Sequence, residues 1–294
     1  MKSIPRLLQE KGVLAAIGAH DGISGILGER AGFDLIWGSG FEISASFGTP
    51  DANVLTMTEQ LDRCALINET VSIPVIADCD NGFGNAINTV HTVRKFERAG
   101  ISGICIEDNV FPKKCSFYDD VCRELVPLSE HALKIRACKE TQETQSFFVI
   151  ARTEALIAGF SMDEAVERAT AYAEAGADAI LIHSKEKQPG QILEFAERWT
   201  LPTPLVAVPT TYDAISMAEL DAVGYKIVIY ANQGLRSAIK AVQENLSLLR
   251  STGRASVLRD RMASLEEVFD LVNLKGLQAT EQKYLNTPYV PRTV

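Results

Sequence analysis

The chain is short of several things, and each shortage excludes a class of protein. No apolar run among its 294 residues approaches the roughly 18 that would span a bilayer as a helix, so no membrane partner is expected. The opening stretch MKSIPRLLQEKG lacks the apolar core of a secretory signal, which predicts a cytoplasmic protein. Basic residues are outnumbered, with 29 Lys and Arg against 38 Asp and Glu and a net charge of −9. That balance argues against a nucleic-acid partner, whose phosphates call for clustered cations. The six cysteines (Cys64, Cys79, Cys105, Cys115, Cys122 and Cys138) form no C-x-x-C pair and no zinc spacing, and read as reduced thiols. No Pro-, Gly- or Ser-rich linker and no low-complexity segment divides the chain, so residues 1–294 are expected to form a single domain.

What is present is a repeat of short apolar runs, nearly all ending in a residue capable of chemistry. The runs are AAIGAHD (His20, Asp21), LIWGSG (Ser39), IPVIADCD (Asp78, Asp80), ISGICIED (Glu107, Asp108), FFVIARTE (Arg152, Glu154), ADAILIHS (His183, Ser184), PLVAVPT (Thr210) and KIVIYAN (Asn232). Helical patterns fill the spaces between them. Three echoes of one turn, in ERAGFDLIW, ERAGISGICIED and AEAGADAILIH, mark repeated units. Eight strand–helix units predict an α/β protein of the (β/α)8 TIM-barrel class. Such barrels take roughly 250 residues, which leaves a C-terminal helical region over 235–294. Its stretches at 235–250 and 264–284 read as helices. In TMTEQLDRCALINET, Thr56 or Thr58 is the expected N-cap, with Leu61, Ala65 and Leu66 on one face. Ser161 and Glu164 suggest a capping box, and Gly176 closes that helix.

In such a barrel the carboxyl ends of the strands converge on one mouth, so the run-ending residues become site candidates. Asp78 and Asp80 stand two apart, and strand alternation would send both carboxylates to one side. Gly82 and Gly84 follow and permit a tight turn. Carboxylates with water suit a hard cation such as Mg2+, and Glu107-Asp108 on the next strand could complete its shell. WGSG offers a hydroxyl and free N–H groups for an anion. Arg152, inside an apolar run, must pair with Glu154, bind an anion, or do both. His183, beside Ser184 and Lys185, is either a satisfied core histidine or a site residue. The segment EDNVFPKKCSFYDD reads as a loop over the mouth. In it Lys113 could supply positive charge, and Cys115 could be a proton donor, a spacer or an inert thiol.

Over nearly its whole length the chain resembles the phosphoenolpyruvate mutase and isocitrate lyase superfamily. The resemblance rests on WGSG, DCDNGFGN, EDNVFPKKCS, ARTEALIAG, AGADAILIHSK, VPTTY and IVIYANQGLR taken together. It implies a barrel whose last helix is exchanged between subunits of a homodimer or homotetramer. It also implies dependence on Mg2+, with Mn2+ or Co2+ as substitutes, and a small phosphonate or keto-acid substrate. His183-Ser184, where the lyases carry a glutamate, is similar to the phosphonopyruvate branch. That branch implies an enzyme acting on the P–C bond of phosphonopyruvate. Hydrolysis to pyruvate and phosphate is the first reading, interconversion with phosphoenolpyruvate the second and carbon–carbon cleavage the third. The mutase loop motif keeps Glu107, Asp108 and Ser116, but Asn109 replaces its lysine and Cys115 its asparagine. Carried over residue by residue, Asp78 corresponds to the direct metal ligand, and Asp51, Asp80 and Glu107 to holders of metal-bound water. Ser39, Gly40 and Phe41 correspond to the turn gripping the substrate carboxylate, Arg152 and His183 to phosphoryl contacts, and Lys113 to a lysine closing on substrate. Ser184 is counted with the substrate-binding residues and Cys115 with the catalytic ones.

Overall fold

The computed structural model describes residues 3–114 and 123–285. Cys115, Ser116 and Cys122, and with them much of the expected loop over the mouth, lie outside the described residues. The strands are β1 (Leu14–Ala19), β2 (Leu35–Gly38), β3 (Val75–Asp78), β4 (Gly103–Glu107), β5 (Phe148–Thr153), β6 (Ala179–Ile182), β7 (Leu205–Ala207) and β8 (Tyr225–Tyr230). Each pairs in parallel with the next, and β8 pairs with β1, closing the expected eight-stranded barrel. The helices of the barrel unit are α1 (Ile4–Lys11), α2 (Gly22–Arg30), α3 (Gly40–Ser46), α4 (Met57–Thr70), α5 (Ala86–Arg98), α6 (Leu128–Thr141), α7 (Met162–Glu174), α8 (Gly190–Arg198) and α9 (Met217–Ala222). Beyond β8 come α10 (Gln233–Thr252), α11 (Leu265–Leu271) and α12 (Leu274–Tyr284).

The strands are apolar on both faces because both are covered, as parallel sheets require. Their residues divide by parity into two buried sets. Leu14, Ala16, Leu35, Trp37, Ile76, Cys105, Phe148, Ile150, Leu181, Val206, Ile227 and Ile229 fill the barrel interior, with Ile4 of α1 packed among them. The alternate residues, including Ile36, Val75, Ala77, Ile104, Ile106, Val149, Ile180 and Val228, pack outward with helix residues such as Ile67, Phe96, Ile135 and Tyr172. This parity, continued past the strand ends, decides which polar residues face the mouth.

Local expectations need three corrections. Helix α4 is capped by Thr56 in a full capping box with Glu59, but its buried stripe is Gln60, Cys64 and Ile67, and Leu66 is exposed. Spacings of four and three put these three on one face, and Leu66 falls to its side. Ser161 caps α7 by accepting the Glu164 N–H, and the reciprocal half of the box is not formed. The 264–284 stretch is two helices, because Asn273 takes a left-handed φ of 53° between α11 and α12.

The chain divides within α10 into two compact units, Met1–Leu235 and Arg236–Val294. Taken alone, the second is poor in core. Among its described residues Leu258 is buried, while Val242, Leu246, Leu265, Phe269, Val272 and Leu277 are exposed. No helix among the described residues is long and apolar enough to cross a membrane.

Candidate active site

Every strand delivers its inward parity to the mouth. Continuing from Trp37 gives Ser39, from Ile76 gives Asp78, from Cys105 gives Glu107, from Ile150 gives Arg152 and Glu154, and from Leu181 gives His183. These are the residues that meet. A cleft open to solvent is lined by Trp37, Ser39, Phe41, Asp51, Asp78, Arg152, His183, Val208, Thr210, Ala231 and Asn232.

Outward parity explains two residues that turn away. Asp108 continues from Ile106 and faces α7, not the acids. It accepts bonds from Thr153 Oγ1 (2.9 Å), the Glu154 N–H (2.8 Å) and Tyr172 OH (2.9 Å), and pairs with Arg168 at 3.3 Å. The expected acidic pair at the mouth is therefore Glu107 alone. Ser184 continues from Ile182; its hydroxyl donates to Gln191 Oε1 at 2.6 Å and accepts the Glu186 N–H.

Asp80 reaches the site by another route than strand alternation. Strand β3 ends at Asp78, and the chain then turns through positive φ at Asp80 (49°), Gly82 (82°), Phe83 (59°) and Gly84 (142°). Backbone bonds from Cys79 N–H to Cys105 O and from Glu107 N–H to Asp80 O pin this turn to β4. Both carboxylates end beside the α3 turn. A Cβ at Gly40 would stand 3.4 Å from an oxygen of each, so glycine there lets backbone and acids approach. Ser39 is the N-cap of α3 and accepts the Glu42 N–H at 3.2 Å.

The electrostatics are those of crowded, buried acid. Burial lifts Asp78 to about 6 and Asp80 to about 7, against the pull of Lys113. Buried Lys113 pairs with Asp51 at 2.8 Å and with Asp80, and those acids hold its ammonium charged despite burial. Asp78 has no ion-pair partner among the described residues. Glu107 lies 3.3 Å from Arg152 Nε and accepts a bond from Asn109 at 3.0 Å. Arg152 Nε also meets Glu154 at 2.6 Å. Burial pushes Glu154 up, but Arg152 and His183 outweigh it and leave it well below its ordinary value. Burial and the Arg152 charge hold His183 neutral, below its ordinary value. His183 Nδ1 lies 2.9 Å from Arg152 Nη2 and 3.0 Å from Glu154 Oε1. An arginine can only donate and a carboxylate only accept, so Nδ1 either accepts from Arg152, leaving Nε2–H as a donor, or donates to Glu154, leaving Nε2 as an acceptor.

This donor set fits a hard cation held mainly through water. Among the described residues no three His, Cys, Asp or Glu side chains converge to ligate one ion directly. Yet Asp51, Asp78, Asp80 and Glu107 are four carboxylates set against two cations, Lys113 and Arg152, and Arg152 is shared with Glu154. Such an excess needs protons or a bound cation, and one direct carboxylate with the rest holding waters is how Mg2+ is commonly bound.

Two features were given no role from sequence. His20 pairs with fully buried Glu42 (Nδ1–Oε2 2.8 Å), and the Leu235 N–H reaches the other Glu42 oxygen at 3.4 Å. Glu42 sits in the apolar stretch GFEISAS, where a charged residue is a signal of pairing. The second is Asn53, in the loop carrying Asp51.

The geometry defines a class: a (β/α)8 protein whose mouth gathers an Arg–His pair and a cluster of buried carboxylates. The chain belongs to the phosphoenolpyruvate phosphomutase family, whose model matches residues 4–250. It is 45% identical to a phosphonopyruvate hydrolase of Variovorax sp. (strain Pal2), over 93% of this chain and 94% of that one. A solved phosphoenolpyruvate phosphomutase from Streptomyces platensis subsp. rosaceus superposes with a TM-score of 0.94 and 48% identity, covering 96% of this chain and 98% of that one. A phosphonopyruvate hydrolase solved with oxalate and Mg2+ gives a TM-score of 0.91 and 43% identity, covering 97% and 100%.

Proposed function

We propose that the protein is a Mg2+-dependent phosphonopyruvate hydrolase, releasing pyruvate and phosphate. The observation that carries this reading is that Arg152 and His183 line one cleft together with Asp51 and Asp78. It suits a substrate with a phosphoryl group at one end and a keto acid at the other. Arg152, with His183 beside it, binds and orients the phosphoryl oxygens, as phosphoryl transfer requires. Ser39, Gly40 and Phe41 at the start of α3 hold the substrate carboxylate. Asp78, with Asp51, Asp80 and Glu107, would hold Mg2+, which would supply positive charge to the keto-acid end of the substrate. As the P–C bond breaks, its electron pair passes into the keto acid, giving the enolate of pyruvate. Water takes the phosphoryl group, and the enolate carbon is then protonated. Lys113 adds positive charge on the acidic side, and Cys115 stands at the loop position where the branches differ. Mn2+ or Co2+ would serve the same oxygen set.

The mutase is the second reading, favoured by the Streptomyces platensis structure. It differs only in what captures the phosphoryl group: the enolate oxygen in place of water. Phosphorus NMR of the enzyme with Mg2+ and phosphonopyruvate separates the two. Inorganic phosphate growing in step with pyruvate is expected; phosphoenolpyruvate as the sole product would overturn hydrolysis.

The reading includes a cytoplasmic homodimer or homotetramer of one-domain subunits that exchange the last barrel helix. The exposed apolar residues of α10, α11 and α12 support self-association, since monomers seldom leave so many uncovered.

A further inference from the structure

Asn53 uses its one side-chain amide to join three stretches of chain. Its Nδ2 donates to Asp80 Oδ2 at 2.7 Å. Its Oδ1 accepts the backbone N–H of Lys113 at 2.6 Å and Asn81 Nδ2 at 3.3 Å. The partners are 27, 60 and 28 residues away in sequence, so no local turn requires these bonds. Asn53 itself is left-handed, with φ 53°. That conformation is costly for most residues and cheap for asparagine and glycine.

We infer that Asn53 is a positioning residue: it clamps the Lys113 backbone to the Asp80–Asn81 turn and thereby sets where the Lys113 ammonium stands over the carboxylates. The inference rests on the role proposed above for Lys113. A lysine has a flexible stem and many rotamers, so its charge is well placed only if its backbone is fixed. Here the amide that fixes the backbone also bonds Asp80, one of the two acids paired with Lys113. Backbone and ammonium are thus referred to one carboxylate, which shortens the chain of contacts through which position can be lost.

Asn53→Gly tests this cleanly, because glycine keeps the left-handed backbone and removes only the amide. Hydrogen exchange is the readout independent of turnover. The Lys113 amide should exchange at least about tenfold faster in the variant, while amides of β3, β4 and β5 keep their protection. Unchanged exchange at Lys113 would overturn the clamp, and loss of protection across the strands would reduce Asn53 to a general structural role. The second readout is a double-mutant cycle on phosphonopyruvate turnover. Asn53→Gly should lower kcat about tenfold or more with KM little changed, and should cost nothing further in a Lys113→Ala background. Additive losses would overturn action through Lys113. Were the wild-type enzyme inactive on phosphonopyruvate, the proposed function would fall while the exchange result still decided the clamp.

Discussion

Replacing Asp78 by asparagine should stabilise the metal-free protein at neutral pH while abolishing its activity. Asp78 is buried at the end of β3 and has no ion-pair partner among the described residues, so its charged form suffers the cost of burial. Its acid is lifted from 3.8 to about 6. A raised folded-state value means that the associated stability is complete below about pH 4, where both states are protonated. It is lost as pH rises through about 6. At about 1.4 kcal/mol per unit, the loss is on the order of 3 kcal/mol. Asp80 titrates over the same range with the same neighbours, so its contribution is not summed with this one. Asparagine cannot ionise and escapes the loss, and the bond it weakens, from the Asp80 N–H at 3.4 Å, is long. For a protein of this size about 3 kcal/mol corresponds to roughly 6 °C or more in Tm. Thermal unfolding in chelator should therefore give coincident curves near pH 3 and a gap that widens from about pH 4 to a little above pH 6 and then holds to pH 8, with Asp78→Asn the more stable. Added Mg2+ should raise the wild-type Tm and leave the variant nearly unmoved. An asparagine variant less stable than wild type at pH 8 in chelator would show that the Asp78 charge is already compensated. An equal response to Mg2+ in both proteins would remove Asp78 from the metal site.

Much of this site was legible because a barrel makes strand ends equivalent. Asp78, Glu107, Arg152 and His183 are each preceded by an apolar run, and the run's length marks where the strand stops. Less legible was the face to which each residue turns. Glu107 and Asp108 are adjacent and both acidic, and only the inward placement of Cys105 and Ile150 separates a site acid from one buried against Arg168 and Tyr172. Ser184 turned outward for the same reason. Asp80 was expected in the right place by the wrong route: positive φ, not the pleat, delivers it. Asn53 left almost no sequence signal, because its partners at Asp80 and Lys113 are distant and its conformation is set by the fold. His20 and Glu42 could be seen singly, but their pairing needed the end of β1 and α3 brought together by the β1–β2 pairing.

Asp108→Asn should cost roughly 2–3 kcal/mol of stability, read by urea unfolding, because it removes the buried charge that accepts from Thr153, the Glu154 N–H and Tyr172 and pairs with Arg168, which keeps Glu164 as its other carboxylate. A cost under about 1 kcal/mol would return Asp108 to the candidate ligands. The bond from Glu42 raises the His20 pKa above 6.5, so the stability that pair adds is complete below about 6.5 and is lost as pH rises through the raised value. The deficit of Glu42→Gln against wild type should therefore be larger at pH 6 than at pH 9, and a deficit independent of pH would leave the pair no ionic character. The last prediction concerns the choice between water and the enolate oxygen. The mutase motif places an asparagine where this chain has Cys115. A thiol donates only a weak hydrogen bond, whereas an amide supplies two strong donors to a phosphoryl oxygen. Restoring the amide should favour retention of the phosphoryl group beside the enolate over its capture by water. A difference of about 1.4 kcal/mol between the two barriers shifts the product ratio tenfold, and one hydrogen bond to a charged group is worth about that much or more. Cys115→Asn should then show phosphoenolpyruvate rising against inorganic phosphate in the phosphorus spectrum, relative to wild type under the same Mg2+. An unchanged ratio, with total turnover intact, would mean that position 115 does not hold the branch point.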